Sequence, residues 1–139
     1  MLDKQQMRQV IEEHVDAENA GDGSRVLETY SRRAPIFEDV ALGVRCVGGE
    51  EIIGQYRGLW DGFPNAVRRV TRWTFGEDSA VIEVAWSGKH DFRGLPASGR
   101  DISMRGIGHF EFDSESRIQR ETVYYDQLTF MRQMGVSGG

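Results

Sequence analysis

The sequence predicts an α+β domain in which helices pack on one face of an antiparallel sheet. Three observations carry that expectation. Apolar residues recur at spacings of three and four in the first part of the chain, and long alternating segments joined by short Gly-containing turns fill the second half. Between Arg117 and Gly135 the two periodicities meet, a strand running into a short helix. At 139 residues the chain is long enough to bury one core and too short for two. The expected domain is 1–135, followed by a loose tail over 136–139.

In chain order, residues 3–20 place Met7, Val10, Ile11, His14, Ala17 and Glu18 on one stripe of an amphipathic helix ending at Gly21. A second helix, Ser24–Tyr30, follows a Gly-Asp-Gly turn with Ser24 as its N-cap. Ala34–Ala41 alternates as a first strand, with Ile36, Glu38 and Val40 on one side and Phe37, Asp39 and Ala41 on the other. Gly48-Gly49 opens a third helix that buries Ile52, Ile53, Tyr56, Leu59 and Trp60 and stops at Asp61-Gly62-Phe63-Pro64. Ala66–Phe75, Ser79–Phe92 and Arg100–Phe112 then read as a meander, with turns at Gly76-Glu77-Asp78 and Arg93–Gly99. Ile118–Tyr125 completes it. From Asp126, which stands as an N-cap, Leu128, Phe130, Met131 and Met134 share a helical face that stops at Gly135.

Composition narrows the function. Hydrophobic residues at 39% against 28% charged describe a globular chain. A net charge of −5 with no Lys/Arg run argues against nucleic acid and against an anionic membrane surface, and favours a small hydrophobic, neutral or weakly polar ligand. The single Cys46 excludes an internal disulfide and a CxxC zinc site, and points to a cytoplasmic setting. Met1–Gln9 is charged and amphipathic, unlike a signal peptide, and no apolar run approaches the length of a membrane span. Segment 79–92 carries apolar groups on both faces, so helices are expected to cover one face and a second copy of the chain the other, as a homodimer.

No phosphate-binding loop, GxGxxG, HExxH or GxSxG elbow is present. Three scattered histidines would need carboxylate help to hold a metal, so neither metal nor cofactor is expected. What remains is an acid/base pocket. Its candidate catalytic residues are Asp39, His14, His109 and Glu121, and its candidate substrate contacts are Tyr30, Tyr56, Trp60, His90 and Tyr125. A carboxylate and an imidazole in a dry cavity suffice to abstract a proton beside a carbonyl, provided a donor stabilises the enolate. Asp39 reads as such a base if the Phe37 side faces inward, where burial strengthens a carboxylate as a base, and as an exposed turn cap otherwise. His14 reads either as a core histidine or as a polar group aimed into a cavity.

The element order resembles the nuclear transport factor 2-like superfamily, and the tail ending Arg132-Gln133-Met134-Gly135 resembles the signature of SnoaL-like polyketide cyclases. Trp86–Gly99 is similar to that family's stretch ending in a Pro-x-x-Gly turn. The resemblance implies a cone-shaped barrel, a curved sheet with three N-terminal helices on its concave face and a short C-terminal helix. It also implies a general acid/base aspartate on the last strand, which by register falls on Val123, and a histidine on the preceding strand, which matches His109. The Glu38-Asp39 pair resembles the base of ketosteroid isomerases, distant members of the superfamily, whose oxyanion tyrosine falls at His14. The expected activity is cofactor-independent cyclisation or isomerisation of a hydrophobic, carbonyl-bearing substrate such as a polyketide. A non-catalytic ligand-binding protein, an epoxide or ester hydrolase and a structural dimerisation domain are the alternatives.

Overall fold

A computed structural model describes residues 2–91 and 98–135. Helix α1 (Lys4–Ala20) starts where the Asp3 side chain accepts the Gln5 N–H, and it stops at Gly21, whose φ of 65° is left-handed. The cap of α2 (Gly23–Thr29) is Asp22 rather than Ser24, because the Asp22 carboxylate reaches the Arg25 N–H. β1 (Ile36–Asp39) and β2 (Val44–Val47) form a hairpin, followed by α3 (Gly49–Gly62). Then come β3 (Val67–Phe75), β4 (Ser79–Lys89), β5 (Asp101–Phe112), β6 (Ile118–Tyr125) and α4 (Gln127–Gln133).

The six strands form one sheet in the order β2-β1-β6-β5-β4-β3. The expected meander from β3 to β6 is antiparallel throughout, whereas β1 joins β6 in parallel, with Ile36 opposite Arg120 and Asp39 opposite Val123. β2 was not foreseen: four residues between Gly43 and Gly48 are too few to display a period. Two helices, not three, precede the sheet, since α3 follows the first hairpin. The sheet stays open, with β2 and β3 as its edges, so the barrel is incomplete. Residues 92–97, which hold most of the expected turn, and the tail 136–139 lie outside the described residues. No helix among the described residues is long and apolar enough to cross a membrane.

Two side-chain amides take the place of absent strand partners. Asn19 at the end of α1 accepts the Arg68 N–H at 2.8 Å and donates to its carbonyl at 2.9 Å. Gln133 of α4 does the same to Ser103 on β5, at 2.6 and 2.7 Å. These clamps fix the helices against the sheet where the core divides. One apolar cluster, including Met7, Ile11, Val26, Ile52 and Phe110, lies under α1 to α3. The other, with Phe63, Trp86, Ile102, Phe130 and Met134, lies under α4.

Candidate active site

A cavity of about 140 Å³ is lined from both clusters. Strand alternation supplies its walls: Phe37 and Asp39 from β1, Val123 and Tyr125 from β6, Ile82, Val84 and Trp86 from β4. Its room comes partly from β5, where Gly106 and Gly108 occupy wall positions. A Cβ added to Gly108 would lie 3.0 Å from Phe110 Cε2 and 3.3 Å from Ile82 Cγ1. Most of the lining is apolar, and polar groups enter at few points, as in ligand pockets generally.

Asp39 is one of them. It is only 6% exposed, and its Oδ2 accepts the Tyr125 hydroxyl at 2.9 Å while Oδ1 accepts the Leu42 N–H at 2.9 Å. Asp39 does cap the hairpin turn through one oxygen, but it is buried and lines the cavity and is not the exposed cap of the alternative reading.

The second polar group is a buried cluster around His14. The Thr29 hydroxyl donates to Val26 O at 2.6 Å, so at 2.8 Å it accepts a proton from His14 Nδ1. Nε2 faces two carboxylates, Glu18 Oε1 at 2.7 Å and Glu121 Oε1 at 3.1 Å. Burial alone would lower the histidine pKa, but the charges of Glu121 and Glu18 outweigh it and push the value from 6.5 up to about 10. His14 is thus an imidazolium at neutral pH. The opposite balance lowers Glu18, where desolvation is overcome by His14 and then by Arg68, whose Nε lies 2.8 Å from Glu18 Oε2. Tyr56 donates to Glu121 Oε1 at 3.0 Å, and Tyr30 donates to the same oxygen. Burial, then the Glu121 charge, raises both phenols well above their ordinary value and keeps them as donors.

Among the described residues, His14, Glu18 and Glu121 offer ligand atoms all within 4.8 Å of one another, the spacing of a metal site. Without a metal, Nδ1–H is committed to Thr29, a proton on Nε2 answers the two carboxylates, and Arg68 pairs with Glu18.

A raised histidine pKa has a defined signature. The imidazolium contributes its full stability below pH 6.5 and loses it as pH rises toward 10. Unfolding free energy is expected to fall across that window, by at most ~1.4 kcal/mol per pH unit for one proton. Urea denaturation at intervals through the window measures it, and a His14→Gln variant should show a flatter profile.

A family model described as SnoaL-like polyketide cyclase matches residues 8–134. The chain belongs to that family. Solved structures of similar fold include a candidate SnoaL-like polyketide cyclase from Jannaschia sp. CCS1, 19% identical over 99% of each chain with a TM-score of 0.86. Another is TsrD from Streptomyces laurentii, 23% identical, covering 99% of this chain and 100% of that one, with a TM-score of 0.83. A Catenulispora acidiphila protein with a ketosteroid isomerase-like fold is 16% identical over 92% of this chain and 93% of that one, at a TM-score of 0.80. No curated protein matches in sequence.

Within the family frame, the residues expected from sequence divide into groups. Asp39, Tyr56, Glu121 and Tyr125 line one cavity, while His14 and Tyr30 stand behind it, bonded to Glu121. Glu121 accepts three donors on the single oxygen Oε1, whereas Asp39 accepts one donor on each of its two oxygens. His109 lies elsewhere. On β5 the even-numbered residues from Ile102 to Phe112 face the core, and His109, half-buried, alternates to the other face. Trp60 lines a separate surface recess with Leu27 and Ile53, and its Nε1 donates to Glu18 O at 3.0 Å. His90 is buried against Phe63 and takes its Nδ1 bond from Ser98, away from the cavity lining. Cys46 is buried, and burial followed by the Glu51 charge raises its thiol pKa, which suits a packing role.

Sequence reasoning passed over two charged residues of the site. Glu18 was visible on the α1 stripe but had no evident partner. Arg68 was hidden in Val67-Arg68-Arg69-Val70, where a shift in register after Val70 blurs which side faces inward.

Proposed function

We propose that this protein is a cofactor-independent acid/base enzyme acting on a hydrophobic, carbonyl-bearing substrate, with Asp39 as the group that moves the proton. The observation that carries the reading is a position. Val123, where the family's acid is expected, is the register partner of Asp39 on the neighbouring parallel strand. A carboxylate therefore stands one strand away from the expected place and lines the same cavity. In the proposed step Asp39 takes a proton from the carbon beside the substrate carbonyl and returns it at another atom, which gives isomerisation. Alternatively, the enolate carbon attacks a second carbonyl, closing a ring, and the proton goes to the new alkoxide. Tyr125 holds the carboxylate, and the apolar walls exclude competing water.

Uptake of deuterium by a bicyclic ketone such as 2-tetralone in D₂O, followed by NMR, tests the first half-reaction without the natural substrate. Uptake above the buffer rate is expected. Binding of bicyclic ketones with no accelerated exchange would instead favour the non-catalytic ligand-binding reading, for which Val123 is the supporting residue.

The reading includes a homodimer. Ile107 and Tyr124, register partners on β5 and β6, are 43% and 46% exposed, and a second copy of the chain is the proposed cover. Sedimentation at twice the chain mass is expected, and Ile107→Lys should shift it toward monomer.

A further inference from the structure

Arg68, in the cavity wall, has unspent hydrogen-bonding capacity. Its backbone is pinned on both sides by Asn19, and its Nε is paired with Glu18. Both terminal nitrogens are nevertheless buried without a partner, on a side chain only 7% exposed that lines the cavity. A guanidinium presents its donors as a rigid planar fork, and unmet buried donors carry a desolvation penalty that a partner would remove. The partner's shape follows from the fork. Two coplanar oxygens a carboxylate's width apart give each nitrogen its own straight hydrogen bond, whereas a single carbonyl must be shared between them.

His14 and Arg68 are cationic and Glu18 and Glu121 are their counterions, so the cluster is balanced before a ligand arrives, and it is the open fork of Arg68 and not a surplus of positive charge that argues for an acidic partner. The remaining cavity carboxylate, Asp39, sits on β1, four strand steps from Arg68 along the sheet order. Laid flat, that separation is roughly 19 Å at about 4.8 Å per strand, and the curl of the sheet shortens it. Asp39 and Arg68 thus reach the cavity from strands that are not neighbours.

We propose that the ligand of this cavity carries a planar pair of anionic oxygens, a carboxylate or the enolate of a 1,3-dicarbonyl, and that Arg68 receives that pair at the end remote from Asp39. This deepens the reading above and rests on it for the use of the cavity. It defines a substrate with two poles, an acidic head at Arg68 and a carbon–hydrogen bond at Asp39.

The test compares matched probes by calorimetry at pH 8.5: 2-naphthoate with its methyl ester, and benzoylacetone with its 2,2-dimethyl derivative, which cannot form the 1,3-dicarbonyl enolate. At least one acidic probe is expected to bind tenfold or more tightly than its neutral match. Preference in the first pair alone identifies a carboxylate, in the second alone an enolate, and either upholds the proposal. Arg68→Met should abolish the preference, and Arg68→Lys, which keeps the charge beside Glu18 but lacks the fork, should reduce it. Circular dichroism melts establish that each variant is folded. Should Arg68→Met fail to fold, the wild-type comparison and the Lys variant decide. Equal affinity within both pairs, failure of all acidic probes to bind, or a preference that survives in folded Arg68→Met or is undiminished in Arg68→Lys would overturn the proposal. The two readings fail separately. Asp39→Asn should leave the anion preference intact, and exchange of neutral 2-tetralone does not require it.

Discussion

Replacing Asp39 by Asn is expected to slow deuterium uptake by 2-tetralone about 10²–10⁴-fold, the usual worth of one positioned acid/base group. The change is close to isosteric. An Asn oxygen can still accept the Leu42 N–H that the Asp39 Oδ1 now accepts, and its amide can donate to the Tyr125 oxygen, so hairpin and cavity should persist. Affinity for the ketone is then expected to change little, which separates a lost base from a lost pocket. A variant that exchanges protons at the wild-type rate would remove Asp39 from the mechanism. Glu121 would then need separate examination, although its Oε1 already accepts from Tyr30, Tyr56 and His14.

His14→Leu carries the largest expected effect on stability. The imidazolium is wholly buried between the Glu18 and Glu121 side chains, themselves 9% and 5% exposed. Without it two carboxylates face each other across an apolar interior, with Arg68 the remaining cation and Tyr30 and Tyr56 the remaining donors. Breaking a buried ion pair in this way typically costs about 3–5 kcal/mol. Urea denaturation near pH 6.5 measures it. Adding Glu121→Gln should restore part of the loss, because the second substitution removes one stranded charge. A loss below about 1 kcal/mol would show that the carboxylates are held apart by their other partners, not by the histidine.

The fold was legible where periodicity was long. The α1 stripe, the three long meander strands and the passage from β6 into α4 each span enough residues for spacing to discriminate helix from strand. β2 was not legible, being four residues between two glycines, nor was the parallel pairing of β1 with β6, which no local pattern encodes. The site was legible by face. Phe37 with Asp39, and Glu121 with Val123 and Tyr125, were grouped correctly, and each group proved to be on the inner side. His109 shows the limit of this reasoning, because a correct strand assignment does not fix which alternate set faces inward when bulges intervene. Arg68 illustrates another limit. A charged residue reads as surface until the partners that hold it, here Asn19 and Glu18 about fifty residues earlier, are brought beside it by the fold.

The pairing of Asp39 with Val123 bears on how such a sheet can carry its side chains. Because β1 and β6 run parallel and in register, a carboxylate exchanged between them keeps its depth in the cup and moves sideways by about one strand spacing, ~4.8 Å. Along the chain the two positions lie more than eighty residues apart. In three dimensions the two are neighbours. A family built on this sheet can therefore relocate a functional group without passing through a form that lacks one, provided both strands bear it for a time. Such a displacement would present a different atom of a bound molecule to the carboxylate.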